Sequence, residues 1–247
     1  LIDKPLMRRQ LMKLLIPTEQ ALSMTMFAAQ QLARADQGDA AAAKVVRILT
    51  PLIKFRSARD NIAVATGAME VRGGNGYIED WVNARLVRDA HLGVLWEGTS
   101  NINALDVTTR AVAKSGAHRA LKSALLDMLA GPQPIGGQFR GELGAIVERA
   151  AAFADEIGAS GDEGHARQGA NALYHAASAV LLASEGARLG AMGQDARRLL
   201  MARMVLDHRL RAQDPLRRTA SESDITAALL DDAPVSLERA TSLIAAA

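Results

Sequence analysis

The sequence contains no cysteine and few aromatic side chains. Its 247 residues include no Cys, and Phe, Trp and Tyr together make up 3%. The absence of Cys excludes disulfides, thiolate metal ligands and thiol nucleophiles, and it suits a reducing compartment. β-Branched residues are also sparse beside Ala, Leu and Arg, which favour helix, so no sheet of any size is expected. The composition therefore predicts an all-α protein.

Long apolar runs and a strong charge imbalance are absent as well. No stretch approaches the roughly 18 continuous apolar residues that span a bilayer, and no secretory signal is visible, so we expect a cytoplasmic protein with no membrane partner. The 29 basic and 27 acidic side chains leave a net charge of +2, which says little about nucleic-acid binding. Apolar residues make up 49% of the chain, enough for a substantial core.

Helical periodicity dominates the first 70 residues. Apolar residues recur at helical spacing over 4–35, which predicts one long helix with a kink near Pro17. In the following DQGD, Gly38 can end that helix and Asp39 can cap the next one. A second long helix is predicted over about 40–71. Because so short a turn joins them, the two helices should pack antiparallel.

The stretch Gly73–Asn103, GGNGYIEDWVNARLVRDAHLGVLWEGTSNIN, differs from the rest of the chain and holds both tryptophans. Its pattern predicts a loop, a short helix over about 82–89 and an extended piece, LGVLW. A new helix should then start near Thr99 or Ser100, because either hydroxyl can act as its N-cap.

The glycines at the start of this stretch allow two interpretations. Gly73, Gly74 and Gly76 let the backbone adopt positive φ and let another group approach the main chain closely. A helix C-cap followed by a tight turn also satisfies their spacing. GGNG is not the dinucleotide-binding fingerprint, and no strand precedes it.

One acidic residue, Glu97, ends the apolar run LGVLW and is followed by Gly98. A carboxylate among apolar groups is desolvated, which favours its proton-bound form and makes it a suitable general base at neutral pH. Gly98 can let its backbone lie beside a ligand. Glu97 is also placed where a carboxylate would be favoured by the dipole of the following helix, and this second interpretation stays open.

Three ordered segments carry a specific resemblance to a known family. GGNGYIED, ARLVRDAHL and WEGTSNI closely resemble the C-terminal helical domain of the acyl-CoA dehydrogenase family, an antiparallel helical bundle. The resemblance covers about residues 1–114, and residues 118–247 are interpreted as a helical C-terminal extension. MEVRGGNGY with WEGTSNINALDV is most similar to the AidB-like, adaptive-response branch.

The resemblance implies an FAD-dependent oxidoreductase that carries out α,β-dehydrogenation of an acyl-CoA. Glu97 falls on the family's catalytic base, which removes the α-proton while hydride leaves the β-carbon for the flavin. Thr99 and Asn101 fall where the family contacts the flavin, and Gly98 is assigned to substrate binding.

The remaining cofactor assignments concern the turn after the second helix. Gly73 and Gly74 fall where the family lies against FAD bound mainly by a neighbouring subunit. Glu70 is assigned to the same cofactor contact, but many members carry Gln there, and a carboxylate near pyrophosphate is unfavourable. Arg72 replaces an apolar residue. Asn101 stands where many members have Gln, so its amide has a shorter reach.

The resemblance also implies partners: an acyl-CoA substrate, further copies of the chain in a homodimer or homotetramer, and an electron-transfer flavoprotein. In the family, an N-terminal helical domain and a middle β-domain build most of the flavin and substrate pocket. Neither is among these residues, so by themselves they are expected to be inactive. Leu1 begins the sequence inside what reads as a helix, which is expected of a fragment.

The arginines near the C-terminus suggest functions of a different class. Between Arg188 and Arg218 there are eight Arg and three Asp. Such a surplus can engage phosphates, which would suit an AidB-like, DNA-binding damage-response flavoprotein with weak dehydrogenase activity. A solvated helix face or a subunit contact explains the same residues. A non-catalytic assembly domain is the third hypothesis.

The rest of the extension is predicted to be helical. AGPQPIGGQ, residues 130–138, is linker-like. The five histidines form no i, i+4 pair and no HExxH motif, so no metal site is expected. Helices are predicted over about 140–159, 165–189 and 195–212, followed by two short ones introduced by Ser221 and Ser236.

Overall fold

The computed structural model describes residues 1–214, 216 and 222–247, and no strand occurs in these ranges. The all-α prediction is confirmed. In the described part of the chain, none of the helices has the length and apolarity needed to cross a membrane. The helices are α1 (Pro5–Asp36), α2 (Ala40–Glu70), α3 (Gly74–Tyr77), α4 (Asn83–Leu92), α5 (Ser100–Leu105), α6 (Ala117–Ala130), α7 (Gly137–Ser160), α8 (Ala166–Ala191), α9 (Arg197–Val205), α10 (Glu222–Leu229) and α11 (Leu237–Ala245).

Short non-α segments extend three of these helices. Helix α5 continues as a π-helix over Asp106–Lys114, and α9 continues as one over Leu206–Leu210. A 3₁₀ turn, Glu163–His165, precedes α8.

Helices α1 and α2 form the predicted long hairpin. Helix α1 runs through Pro17 and α2 through Pro51. Gly38 has φ 94° after α1, and the Asp39 carboxylate accepts a hydrogen bond from the Ala42 N–H at 3.0 Å. The helix end at Gly38 and the N-cap at Asp39 are therefore confirmed.

Helix α8 lies at the centre of the hydrophobic core. Its segment NALYHAASAVLLAS, residues 171–184, carries no Asp, Glu, Lys or Arg, and a helix that is apolar all round has to be buried. It packs against α1, α2, α6, α7 and α9. The core is therefore continuous across residues 114–118. The division into segments 1–114 and 118–247 stays a prediction.

A buried polar cluster joins α1 to α8. Gln20 Nε2 lies 3.0 Å from His175 Nδ1 and donates to Ser178 Oγ at 2.7 Å. Burial lowers the pKa of His175 to about 3, because desolvation disfavours imidazolium, and the positive charges of Arg56 and Arg209 act in the same direction. A neutral imidazole is thus part of the folded core.

Two predictions about the helices were wrong or incomplete. LGVLW is not extended, because α4 continues through Leu92 and turns follow it. Lys54 on α2 donates to the Gly93 carbonyl at 2.6 Å and fixes this position. Helix α6 was not anticipated, although its buried leucines are spaced four residues apart, as one helix face requires: Leu121, Leu125 and Leu129.

The C-terminal predictions hold in part. The linker-like segment is shorter than predicted, because α6 includes Ala130 and α7 begins at Gly137. Ser236 caps α11 by accepting from the Arg239 N–H at 3.2 Å, as predicted. Ser221 lies outside the described residues.

Candidate active site

Glu97 lies in the turn between α4 and α5. Its φ is 50°, and in the part of the chain that the structure describes no other residue except Gly has a positive φ. Gly98 follows with φ 96°. A non-Gly residue in the left-handed region stores strain of about 1–3 kcal/mol, and such strain is concentrated at functional sites. The turn therefore marks Glu97 as a candidate functional residue.

Asn103 holds this turn in place. Its Nδ2 donates to the Gly98 carbonyl at 2.8 Å and to the Thr99 carbonyl at 3.0 Å. A Cβ on Gly98 would lie 3.1 Å from the same Nδ2, so the residue after Glu97 has to stay small. Sequence reasoning missed Asn103. The available signal was an Asn four residues after a helix start, from where an amide can reach back to free carbonyls.

Thr99 occupies the N-cap position immediately before α5, but it does not cap the helix through its side chain. Its φ and ψ are −68° and 169°, as an N-cap requires, yet its hydroxyl makes no capping hydrogen bond. Glu97, Thr99 and Asn101 are all exposed. The turn thus brings a carboxylate, a hydroxyl and an amide to the surface within five residues of chain.

The apolar surroundings predicted for Glu97 do not bury it. Trp96 is 58% exposed, Leu95 is 64% exposed and Ile102 is 59% exposed. The apolar residues are present, but they face outward together with the carboxylate. The Glu97 carboxylate would therefore be desolvated only by atoms other than those of the described residues.

The turn after α2 contains glycines in open space and one glycine in tight packing. Gly73 has φ 59° and its N–H donates to the Glu70 carbonyl at 3.0 Å, so it closes the helix end. A Cβ added at Gly73 or Gly74 would meet no atom within 4 Å. A Cβ on Gly76 would lie 2.2 Å from the Met69 carbonyl oxygen. Of these three glycines, only Gly76 is required by close packing within the described residues.

Glu70 and Arg72 flank that turn. Gln10 Nε2 on α1 donates to the Glu70 carboxylate at 3.3 Å, which also shows that the start of α1 lies beside the end of α2. Glu70 and Arg72 are both exposed. The Arg72 guanidinium lies 6.0 Å from the ring centroid of Trp81, within the range of a cation–π contact.

Many exposed apolar side chains lie along the chain from Tyr77, after the first turn, to Ile102, after the second, and together we call them the 77–102 surface. Nine of the 17 large apolar side chains that are exposed in the described residues belong to it. Such a concentration of exposed apolar side chains makes it a candidate interaction surface. Its members are Tyr77, Ile78, Trp81, Val82, Leu86, Leu92, Leu95, Trp96 and Ile102.

The arginines considered for DNA binding are mostly engaged within the chain. Arg198 contacts Glu185 at 2.6 Å and Glu19 at 2.5 Å. Four of the six described arginines in this segment pair with a carboxylate: Arg197, Arg198, Arg203 and Arg211. Arg217 and Arg218 lie outside the described residues. The paired arginines serve the fold, and DNA binding stays a prediction.

Comparisons with known proteins agree with the fold. Residues 1–112 match the family model described as acyl-CoA dehydrogenase, C-terminal domain. The putative acyl-CoA dehydrogenase AidB of Escherichia coli (strain K12) is 33% identical over 130 residues, which are 52% of this chain and 23% of that protein. Acyl-CoA dehydrogenase family member 11 of Caenorhabditis elegans is 31% identical over 105 residues, 42% of this chain and 17% of that protein.

A solved structure, Bd2924 in its apo-form, resembles more of the chain. It is 28% identical with a TM-score of 0.59, over 74% of this chain and 34% of that one. The helical fold of the first part of the chain agrees with the match to a C-terminal domain model. Residues 1–112 are thus similar to the C-terminal domain of the acyl-CoA dehydrogenase family. The matches span between 17% and 34% of these relatives' lengths.

Proposed function

We propose that this chain is the C-terminal portion of an FAD-dependent acyl-CoA dehydrogenase and that Glu97 is its catalytic base. The observation that carries the proposal is the conformation of Glu97. The residue has φ 50° in a turn fixed by Asn103, and its carboxylate is exposed rather than used in an ion pair with a described residue. Similarity to the family supplies the class of reaction.

The step assigned to Glu97 is removal of a proton from the carbon next to the thioester carbonyl. The carboxylate takes the α-proton, and the electron pair of that C–H bond forms the α,β double bond as hydride leaves the β-carbon. FAD, when bound, supplies the acceptor for the hydride. A covering partner would desolvate Glu97 and so increase its basicity. Gly98 is the proposed substrate contact, because it adjoins Glu97 and carries no side chain of its own.

The proposed flavin contacts next to the base are Thr99 and Asn101. The Thr99 hydroxyl makes no hydrogen bond with a described residue, and a hydroxyl can both donate and accept. The Asn101 amide is exposed and offers the same two functions. Both therefore fit a hydrogen-bonding ring edge.

The proposed contacts with a neighbouring subunit's FAD are Gly73, Gly74 and Glu70. The two glycines fit this role, because their main chain is exposed and the space where a Cβ would stand is open. Glu70 fits the hydroxyl-bearing part of the cofactor rather than its phosphates, because an exposed carboxylate accepts hydrogen bonds but repels anions.

The 77–102 surface supports the proposed assembly. Its exposed apolar side chains would be covered by another domain or by a second subunit of a homodimer or homotetramer. An electron-transfer flavoprotein is the proposed electron acceptor, acyl-CoA the substrate and the cytoplasm the location.

The proposal is tested by Glu97→Gln in the full-length reading frame, purified with FAD bound. Loss of a general base is expected to lower kcat about a thousandfold, while the flavin content stays that of the unmodified protein. Glu79→Gln is the matched control, because Glu79 is an exposed Glu in the same segment, paired with Arg88 at 2.8 Å. If Glu97→Gln kept most of its acyl-CoA turnover, the assignment would be wrong.

A further inference from the structure

A groove lies between helices α7 and α8, beside the π-helical end of α9. None of the residues proposed to contact acyl-CoA or FAD lines it. Its floor is apolar and includes Ile146, Phe153 and Leu210. Arg149 on α7 and Arg209 on the π-helical segment stand at its edges, and both are exposed. The lining thus combines an apolar floor with positively charged edges.

These arginines differ from most others in the chain. Fourteen arginines form an ion pair with a carboxylate. Arg149 and Arg209 form none with a described residue, and residues 215 and 217–221 contain no Asp or Glu that could pair with them. The groove has one acidic lining residue, Glu156. Two arginines against one glutamate leave the lining with a net charge of +1.

Further positive charge lies beside the groove. Arg167 precedes the lining residue Gln168 and forms no ion pair with a described residue. The pKa of Arg59 on α2 is lowered, first by burial and then by the like charges of Arg167 and Arg56, while Asp60 acts in the opposite direction. An acidic partner would relieve this repulsion.

We propose that the groove binds an acidic amphipathic helix of a partner protein. The lining positions of α7 run from Ile146 to Glu156, a rise of about 15 Å, which matches about three turns of a docked helix. Such a helix would place its apolar face on the floor and its carboxylates against Arg149 and Arg209.

Other occupants fit the groove less well. A small ligand would be left exposed, because the groove is open along its length instead of closing around a cavity. A nucleic acid would use the guanidinium groups for its phosphates but would leave the apolar floor without a partner. The combination of an apolar floor with arginines at the edges therefore favours an amphipathic peptide.

The test uses a fluorescein-labelled synthetic helix of about 14 residues, long enough to span the groove, with Leu along one face and Glu on the others. A peptide with Lys in place of Glu is its matched probe. Fluorescence anisotropy with the 247-residue chain at about 0.1 M salt, where surface charges still act, should show binding of the Glu peptide only. The double variant Arg149→Gln, Arg209→Gln should weaken binding at least tenfold.

Arg188→Gln is the matched control. Arg188 is an exposed arginine on α8 without an ion pair to a described residue, about 25 Å along the helix from Asn171 of the groove, so its replacement should leave affinity unchanged. Thermal melting shows that each variant is folded. No binding of the Glu peptide, equal loss in Arg188→Gln, or duplex DNA bound through the same two arginines in place of the peptide would overturn the proposal. Self-association of the chain that the double variant abolishes would also overturn it, because the occupant would then be a second copy.

Discussion

Helix α8 and the segment Gly73–Asn103 are both rich in apolar residues, but only α8 buries them. In α8, 17 of 26 residues are buried. In the 31 residues of the segment only four are buried: Gly76, Asn83, Ala84 and Ala90. Apolar groups that stay in water contribute no transfer free energy to folding. Helix α8 therefore stabilises this chain, whereas the exposed apolar side chains of the segment add little to its stability.

The comparison also separates two uses of polar side chains. In α8, His175 is neutral and bonded inside the core. In the segment, Glu97 is exposed on a strained turn. A core tolerates polar groups that are satisfied, while a reactive group has to remain accessible to its substrate. Of these two regions, the segment Gly73–Asn103 contributes less to the core, and it carries the residue proposed as the catalytic base.

The largest effect is expected for Leu182→Ala. Leu182 on α8 is 0% exposed, so its truncation should leave a cavity and lower the free energy of unfolding by about 3 kcal/mol. Urea unfolding of the 247-residue chain measures this loss. A loss below about 1 kcal/mol would mean that α8 is not the tightly packed centre of the fold.

Gly186→Ala tests the close approach of α8 and α9. A Cβ at Gly186 would lie 2.4 Å from the Leu199 backbone N, and a backbone atom cannot move aside cheaply, so a loss of about 2–3 kcal/mol is expected. Gly141→Ala is the control, because a Cβ there meets nothing within 4 Å. Helix propensity predicts a gain of about 0.5–1 kcal/mol for it. Equal melting temperatures for the two variants would contradict the packing.

The stability of the chain should depend on pH through His175. Its folded pKa is about 3, against 6.5 for an ordinary histidine. The neutral form is favoured in the folded state, so its contribution is complete above pH 6.5 and is lost as pH falls towards 3. Urea unfolding between about pH 6 and 4 should show a slope up to about 1.4 kcal/mol per pH unit steeper than that of His175→Gln. Equal slopes would contradict the buried neutral imidazole.

The smallest effect is expected for Leu95→Ala, the same chemical change in the other region. Leu95 is 64% exposed, so the free energy of unfolding of the 247-residue chain should change by less than about 0.5 kcal/mol. The measurement is the same urea titration used for Leu182→Ala. A loss as large as that for Leu182→Ala would show that Leu95 is part of this chain's own core.

Features set by neighbouring residues could be predicted from the sequence. The caps at Asp39 and Ser236 depend on backbone within three residues, and the all-α class follows from composition. Helix α6 carried a readable pattern and was overlooked. The LGVLW segment could not be predicted, because Lys54, 39 residues away in sequence, fixes Gly93.

The candidate site was predictable in its chemistry but not in its geometry. The motif WEGTSNI pointed to Glu97, yet the positive φ of Glu97 and the double hydrogen bond from Asn103 follow from the folded turn. The exposure of Glu97 depends on which other atoms cover the turn. Likewise, the contact between Gln20 and His175 joins residues 155 positions apart, which no local pattern encodes.

The central claim is that Glu97 removes the α-proton, and proton exchange tests it most directly. The full-length protein with FAD bound is incubated with a panel of acyl-CoA esters in D₂O, and mass spectrometry measures deuterium at the α-carbon. We expect the unmodified protein and Glu79→Gln to introduce deuterium at that carbon, and Glu97→Gln to introduce none while it retains FAD. Exchange by Glu97→Gln at the rate of the unmodified protein would contradict the account.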